Sequence, residues 1–170
     1  MDIQIVDSTF IMNKFGKECI ARNKFFKNKN CNKVSVVTDI KGIPISVLIK
    51  TGNVHDLNFI NDHIDDLMVI SRKHPAKTFT LLADKGYVSN KLKDALLQRH
   101  YNLIFPPKSN MKPDLSFDKV LYKKRIYVEH SFQKLKLFKR IQLRSDSSIL
   151  NFTSFILLAA SELIFRKLNN

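Results

Sequence analysis

Two cysteines, Cys19 and Cys31, are all that the 170 residues hold, and no Cys/His cluster surrounds either. So few thiols exclude a disulfide scaffold, and the spacing does not suit a structural zinc site. The N-terminal stretch MDIQIVDSTF lacks the charged-then-apolar layout of a signal peptide. The longest apolar stretch, ILNFTSFILLAASELIF (149–165), is interrupted by Asn151, Ser154 and Glu162. It falls short of the roughly 20 residues that a membrane span needs and is expected to be a buried helix. Neither an internal repeat nor a low-complexity linker divides the chain, so residues 1–170 are expected to form a single domain. Acids are the other shortage: 15 Asp and Glu stand against 29 Lys and Arg, for a net charge of +14. An excess of that size points to a polyanionic partner, nucleic acid or an acidic membrane surface. Without a basic amphipathic helix or a lipidation signal, nucleic acid is the expectation, with no membrane partner and a cytoplasmic, nucleoid-associated location. The 44% hydrophobic content implies a folded chain.

The order of elements follows from periodicity. DIQIVDSTFI sets Ile3, Ile5 and Asp7 on one face and Gln4, Val6 and Ser8 on the other, which is the period of a strand. Residues 14–33 hold seven Lys/Arg and one acid, Glu18, and read as a basic loop. VSVVTDIKGIPISVLIKTG (34–52) reads as an antiparallel hairpin turning at Lys41-Gly42. Apolar residues at 57, 60, 64, 67, 68 and 70 are close to helical spacing. KTFTLLADKGY (77–87) is a buried strand leading into a loop, SNKLKDALLQRH (89–100) a helix capped by Ser89, and YNLIFPPK a strand stopped by Pro106 and Pro107. A polar loop over 108–118 and two helices, 119–141 and 147–168, complete the chain. Antiparallel strands followed by βαβ crossovers imply an α/β fold, a ribonuclease-H-like mixed sheet flanked by helices.

On that sheet Asp7 falls inside or at the end of the first strand, and Asp84 at the C-terminal end of the fourth. If these strands are neighbours, both carboxylates emerge at one edge, where sites in such sheets lie. Glu129, on a later helix, can pack beside them. Divalent ions need several hard oxygen ligands, and carboxylates supply them. On pattern alone the other reading stays open: a capping Asp7, a turn Asp84 and a solvated Glu129. The helix around Glu129 adds weight. Tyr122, Arg125, Glu129 and Lys136 are 3, 4 and 7 positions apart, steps that keep all four on one helix face. Ile126, Phe132, Leu135 and Phe138 supply an adjacent apolar stripe. Between 119 and 144 there are nine Lys/Arg and this single acid. Dense cations around a presented carboxylate suit a phosphodiester held against a metal, although a solvated amphipathic helix would carry the same pattern.

These residues resemble the DDE transposases of bacterial insertion sequences, in the branch with a Tyr-(2)-Arg-(3)-Glu-(6)-Lys signature, which Tyr122, Arg125, Glu129 and Lys136 fit without a gap. VDST around Asp7 and LLADKGY around Asp84 resemble the two aspartate motifs. TGNVHD (51–56), IFPPK (104–108) and FKRIQLR (138–144) resemble further stretches in the same order. The resemblance implies a ribonuclease-H-like fold and two Mg²⁺ or Mn²⁺ ions held by Asp7, Asp84 and Glu129. It also implies cleavage of double-stranded DNA at transposon ends, followed by strand transfer to a target. Arg125 and Lys136 would contact backbone phosphate, Tyr122 would position that DNA, and Lys139 and Arg140 would extend the DNA-binding set. A homodimer on DNA is implied as well. His55 and Asp56 match a recurrent pair and are read as structural supports. Two departures stand out. The basic stretch FFKNKNCNK (25–33) keeps the charge of its counterparts but not their glycines, and only six residues precede Asp7, where relatives carry a DNA-recognition region. The expectation is therefore a catalytic fragment, one product of a split frame with a separate N-terminal recognition polypeptide, or a decayed remnant that binds DNA or dimerises without chemistry. A ribonuclease H or resolvase of the same fold would account for the acids but not for the signature helix.

Overall fold

A computed structural model of the chain describes residues 2–71, 77–107 and 117–169. The alternation read in the first segment builds its central strand, β1 (Asp2–Asn13). A three-residue strand β2 (Ala21–Asn23), then β3 (Lys29–Asp39) and β4 (Pro44–Thr51), follow it. Helix α1 (Leu57–Ser71), strand β5 (Phe79–Leu82), helix α2 (Asn90–Leu97) and strand β6 (Tyr101–Ile104) come next. The C-terminal part holds α3 (Lys119–Tyr122), α4 (Ile126–Lys136), α5 (Lys139–Gln142), the two-residue β7 (Leu143–Arg144) and α6 (Ile149–Leu168). One mixed sheet runs β2-β3-β1-β5-β6, with β4 joined to the outer side of β3 and β7 to the far end of β1. β1 is antiparallel to β3 and parallel to β5, and β5 is parallel to β6. This is the mixed sheet flanked by helices that the element order implied.

The period-2 pattern of β1 sorts the core into two layers. Ile5 and Ile11 face Val34, Val36 and Leu82 and pack under Val128, Phe132, Leu135, Phe152 and Ile156 of the C-terminal helices. Val6 faces the opposite way, with Val37 and Leu81, onto Ile60, Ile64 and Leu67 of α1 and Leu96 of α2. The hairpin turns where expected, and Gly42 (φ +76°) is needed there. A Cβ on Gly42 would also meet the Tyr127 carbonyl at 2.9 Å, because Ser131 of α4 donates to the Gly42 carbonyl at 2.5 Å and clamps the helix to the turn. Ser89 caps α2 as read, accepting from the Leu92 amide.

Three expectations need correction. The basic loop is partly strand: β2 pairs with Lys29–Cys31, so β3 begins five residues before 34, because main-chain pairing here overrides side-chain propensity. The expected helix 119–141 is a helical path in segments, α3, a 3₁₀ turn over Lys123–Arg125, α4 and α5, and its buried face uses Val128 and Ser131 while Ile126 is exposed. The last helix is 20 residues long and, by length and hydropathy, apolar enough to cross a membrane. It packs as a one-sided core helix instead, burying Phe152, Ile156, Ala159 and Ala160 while Leu150, Leu158 and Phe165 stay exposed. The expected loop at 108–118 lies mostly outside the described residues.

A buried polar chain ties α1 to the sheet. His63, with no exposed surface, bonds through Nδ1 to Ser46 Oγ (2.7 Å) and through Nε2 to Ser35 Oγ (2.9 Å). Burial pulls its pKa down to about 3. A folded-state value below the unfolded 6.5 means that the contribution is complete above pH 6.5 and is lost as pH falls toward 3, on the order of 4 kcal/mol. His63→Gln is expected to lose stability at pH 7 and to flatten the fall in denaturant midpoint between pH 6.5 and 4. The difference between wild type and variant isolates His63 from other titrating groups, and parallel midpoint curves would sink this assignment.

Candidate active site

The parallel register of β1 and β5 ends at Ile5↔Leu82. Continued by two residues it sets Asp84 beside Asp7, on the sheet face that carries α4. Asp84 caps the 3₁₀ turn Lys85–Tyr87, its Oδ1 accepting from the Gly86 amide at 2.7 Å. Asp7 Oδ1 accepts from the Ser8 amide at 2.8 Å, and Oδ2 accepts from Arg125 Nη2 at 2.7 Å. The Asp7 pKa is raised to about 6. Burial is the main cause; Arg125 and the Ser8 amide pull it down, and the neighbouring Asp84 and Asp56 push it up. Asp7, in the middle of β1, and Asp84, two residues beyond β5, are therefore electrostatic neighbours.

The helical segment brings its signature residues to the same face of the sheet. Arg125 pairs with Asp7 and also donates to the Tyr122 hydroxyl at 3.1 Å, its guanidinium 5.6 Å from the Tyr122 ring centre. Its Nε is buried with no bonded partner. Lys136 Nζ reaches Thr9 Oγ1 at 2.6 Å, two residues along the same strand face from Asp7. Burial lowers the Lys136 pKa, and no carboxylate among the described residues offsets that. Glu129 lies between Arg125 and Lys136 on this helix edge and is exposed. It is not gathered with the other two acids. Among the described residues no three Asp, Glu, His or Cys side chains are close enough to hold a metal ion. Lys139 and Arg140 are exposed on α5, but Arg140 is paired with Asp146 and lies 4.6 Å from the Phe155 ring centre. Arg144, in the same FKRIQLR stretch, is fully buried.

Asp56 proves to be more than a packing residue. It accepts from the Ser8 hydroxyl and forms an ion pair with Lys33 at 3.1 Å. Since the Ser8 amide holds Asp7, Asp56 braces the first aspartate through one intervening residue. Lys33 is itself buried, 4.9 Å from the Phe10 ring centre. Tyr87 completes the cluster: burial first, then the charges of Asp56 and Asp7, push its phenol well above the ordinary value, so it stays a donor. The Ser35 hydroxyl beside it donates to the Asp7 carbonyl and bonds His63. A Cβ at Gly86 would lie 2.9 Å from Asp84 Oδ1, so any side chain there would displace that carboxylate. Tyr87 and Asp56 both sat inside stretches already singled out, LLADKGY and TGNVHD; Lys33 carried no signal apart from its charge. His55 is exposed and does no more than cap α1, accepting from the Leu57 amide at 3.3 Å.

Asp7 and Asp84 supply hard oxygens of the kind a divalent cation takes. Asp7 is a partly buried carboxylate near two others, and it draws a cation, the Arg125 guanidinium, onto one oxygen. Asp84 keeps Oδ2 outside its cap bond. A cavity of about 670 Å³ lies elsewhere, between Gly42, Leu137, Phe138 and Leu163, and shares no residue with this cluster. The carboxylates instead lie along a strand edge and a basic helix, a surface suited to an extended polyanion rather than a small ligand.

None of the curated proteins compared matches the chain. Among solved structures, it is similar to the piggyBac transposase in a synaptic complex with hairpin DNA, at 11% identity and a TM-score of 0.56, covering 92% of this chain and 45% of that one. It is also similar to a chain of the simian T-cell lymphotropic virus intasome in complex with PP2A regulatory subunit B56 gamma, at 14% identity and a TM-score of 0.52, covering 93% and 46%. At such identities the likeness is one of fold, the ribonuclease-H-like fold expected from the sequence, and the chain spans just under half the length of either relative. The family model for the transposase DDE domain matches residues 1–163. The chain belongs to the transposase DDE domain family.

Proposed function

We propose that the chain is a divalent-metal-dependent DNA transposase of the bacterial insertion-sequence type with the Tyr-Arg-Glu-Lys signature, cutting phosphodiesters at transposon ends and joining the freed strand to a target. The observation that carries this is the contact between Arg125 and Asp7, by which the signature helix meets the first aspartate beside the second. Asp7, Asp84 and Glu129 are the residues that would hold Mg²⁺ or Mn²⁺. When bound, two such ions lower the pKa of the attacking oxygen's proton and stabilise the leaving oxygen. The rest falls to the chain's own groups. Ser8, braced by Asp56 and Lys33, fixes Asp7. Tyr122 orients the Arg125 guanidinium, and the Lys136 ammonium, paired with no acid among the described residues, is set to take a phosphate. Glu129 stands between these two cations on the same helix edge, so a strand held by both would pass over it. The partner is duplex DNA, with a homodimer as its assembly, in the nucleoid.

The purified chain is expected to nick duplex DNA with Mn²⁺ or Mg²⁺ and not in EDTA. Arg125→Ala and Lys136→Ala should each lower the slope of log affinity against log salt by about one. Unchanged slopes in both variants would remove the helix from the DNA interface. A second reading, a remnant that binds DNA without cutting it, is favoured by one observation: no three-carboxylate grouping among the described residues. Normal salt slopes with no nicking in either metal would decide for it.

A further inference from the structure

The end of the sheet farthest from the aspartates carries a feature that cleavage does not use. Phe25 is 93% exposed, at the tip of the turn between β2 and β3. The turn is firmly held. The Asn23 side chain accepts from the Phe25 amide at 2.7 Å and donates to the Gly52 carbonyl at 2.6 Å, and Phe26 is anchored on Phe10 with ring centres 5.4 Å apart. Phe25 therefore points outward from a fixed base. Lys14, Lys17, Arg22, Lys24, Lys27 and Lys29 are all exposed around the same sheet end, with Phe15, 59% exposed, under the Lys14 ammonium. The one acid of the segment, Glu18, is occupied by the amide of Ile149 at the start of α6. An isolated exposed aromatic needs no explanation; a rigidly presented one ringed by uncompensated cations does.

We propose that this sheet end is a second DNA contact, in which Phe25 stacks on a base at an unpaired or distorted step while the surrounding lysines and Arg22 hold the flanking phosphates. An intact duplex offers an aromatic ring no apolar face, whereas an opened step does, and stacking is indifferent to base identity. Val36 lies opposite Asp7 in the register, and Lys29 is seven residues from it along β3. At roughly 3.3 Å per residue the tip is about 23 Å from the aspartates, or roughly seven base-pair steps. The site would grip DNA already opened, at a fixed distance from the cut. The proposal rests on the DNA partner of the preceding reading but not on its chemistry.

The test uses the full chain in EDTA, where cleavage cannot contribute. The probes are a fully paired 20-mer duplex and the same duplex with one mismatch carrying 2-aminopurine. Wild type is expected to bind the mismatched duplex about tenfold tighter and to quench its fluorescence. Phe25→Ala should lose the quench and the preference, weakening mismatch binding about 5- to 100-fold with no change in melting temperature, since the ring is exposed. Phe25→Trp should retain both. Equal affinities for Phe25→Ala and wild type, or no quench, would overturn the proposal. So would binding to phosphatidylserine vesicles that Phe25→Ala abolishes while DNA binding is unaltered, which would make the tip a membrane contact. A normal quench from a chain that never nicks would leave this site standing and remove the catalytic reading instead.

Discussion

Asp7→Asn is expected to do two opposite things: to abolish metal-dependent nicking, by roughly a thousandfold or more, and to make the metal-free chain more stable. The first effect follows from Asp7 being the carboxylate on which Asp84, Ser8 and Arg125 converge. The second follows from its titration. Its folded-state pKa of about 6 lies above the ordinary 3.8, so the fold holds the proton more tightly than the unfolded chain does. That contribution is complete below pH 3.8 and is lost as pH rises through 6; above 6 the ionised, buried side chain costs about 3 kcal/mol. Asparagine removes that cost. The gain in denaturant midpoint should therefore be absent near pH 3.5, open between pH 4 and 6, and level off above. It will fall short of the full figure to the extent that Arg125 misses its partner. Millimolar Mg²⁺ should raise the melting temperature of wild type and not of the variant. A variant no more stable than wild type at pH 7.5, or one that still nicks, would remove Asp7 from the centre of the site. Asp84→Asn and Glu129→Gln should also lose nicking, but without a comparable gain in stability.

How much of this was legible in the sequence depends on which force fixed each feature. The alternation of Ile3, Ile5 and Asp7 against Gln4, Val6 and Ser8 reported the two faces of β1 correctly, because a single hydrophobic period decides that strand. The hairpin at Lys41-Gly42 and the Ser89 cap were equally readable, since each rests on local backbone chemistry. The meeting of Asp7 with Asp84 needed only the assumption that their strands are neighbours. What stayed hidden is non-local. β2 has three residues with no strand pattern of their own, and only the edge of β3 makes them a strand. Phe25 and Phe26 are adjacent and chemically alike, yet one is stacked in and the other left out, a choice made by the Asn23 cap and by Phe10. Lys33 looked like one more member of a basic loop, and its burial against Asp56 follows from a register that no composition shows. Glu129 is the reverse case: its spacing is the clearest signal in the chain, while its approach to the other two acids is absent from the arrangement described.

Arg144 is where motif and fold part most sharply, and its removal should give the largest loss of stability. It closes a basic stretch that reads as DNA-binding, yet it has no exposed surface. Its Nε donates to the Asp146 carbonyl at 3.0 Å, Nη1 to the Glu18 carbonyl at 2.8 Å and to Asn32 Oδ1 at 2.9 Å, and Nη2 to the Ser147 carbonyl at 3.1 Å. The guanidinium also lies 5.2 Å from the Phe152 ring centre. It thus joins the loop after β1, β3 and the entry to α6, which Lys17–Ser147, Glu18–Ile149 and Asn32–Cys19 bonds also tie together. Burial lowers its pKa, and the nearby Cys19, Asp146 and Glu18 pull it back up. Arg144→Ala would leave four acceptors without their donor and a cavity beside Phe152, for about 3–5 kcal/mol. At roughly 2–4 °C per kcal/mol for a chain of this size, the melting temperature should fall by about 10 °C or more. Arg144→Lys should rescue little, since one ammonium cannot span positions that a planar fork reaches together. Because the loop it anchors leads into β2, binding of the mismatched duplex through the Phe25 tip should weaken in both variants, whereas Lys139→Ala, at an exposed position nearby, should leave stability unchanged. An Arg144→Ala chain melting within 2 °C of wild type would return the residue to the surface and to the phosphates that its neighbours suggest.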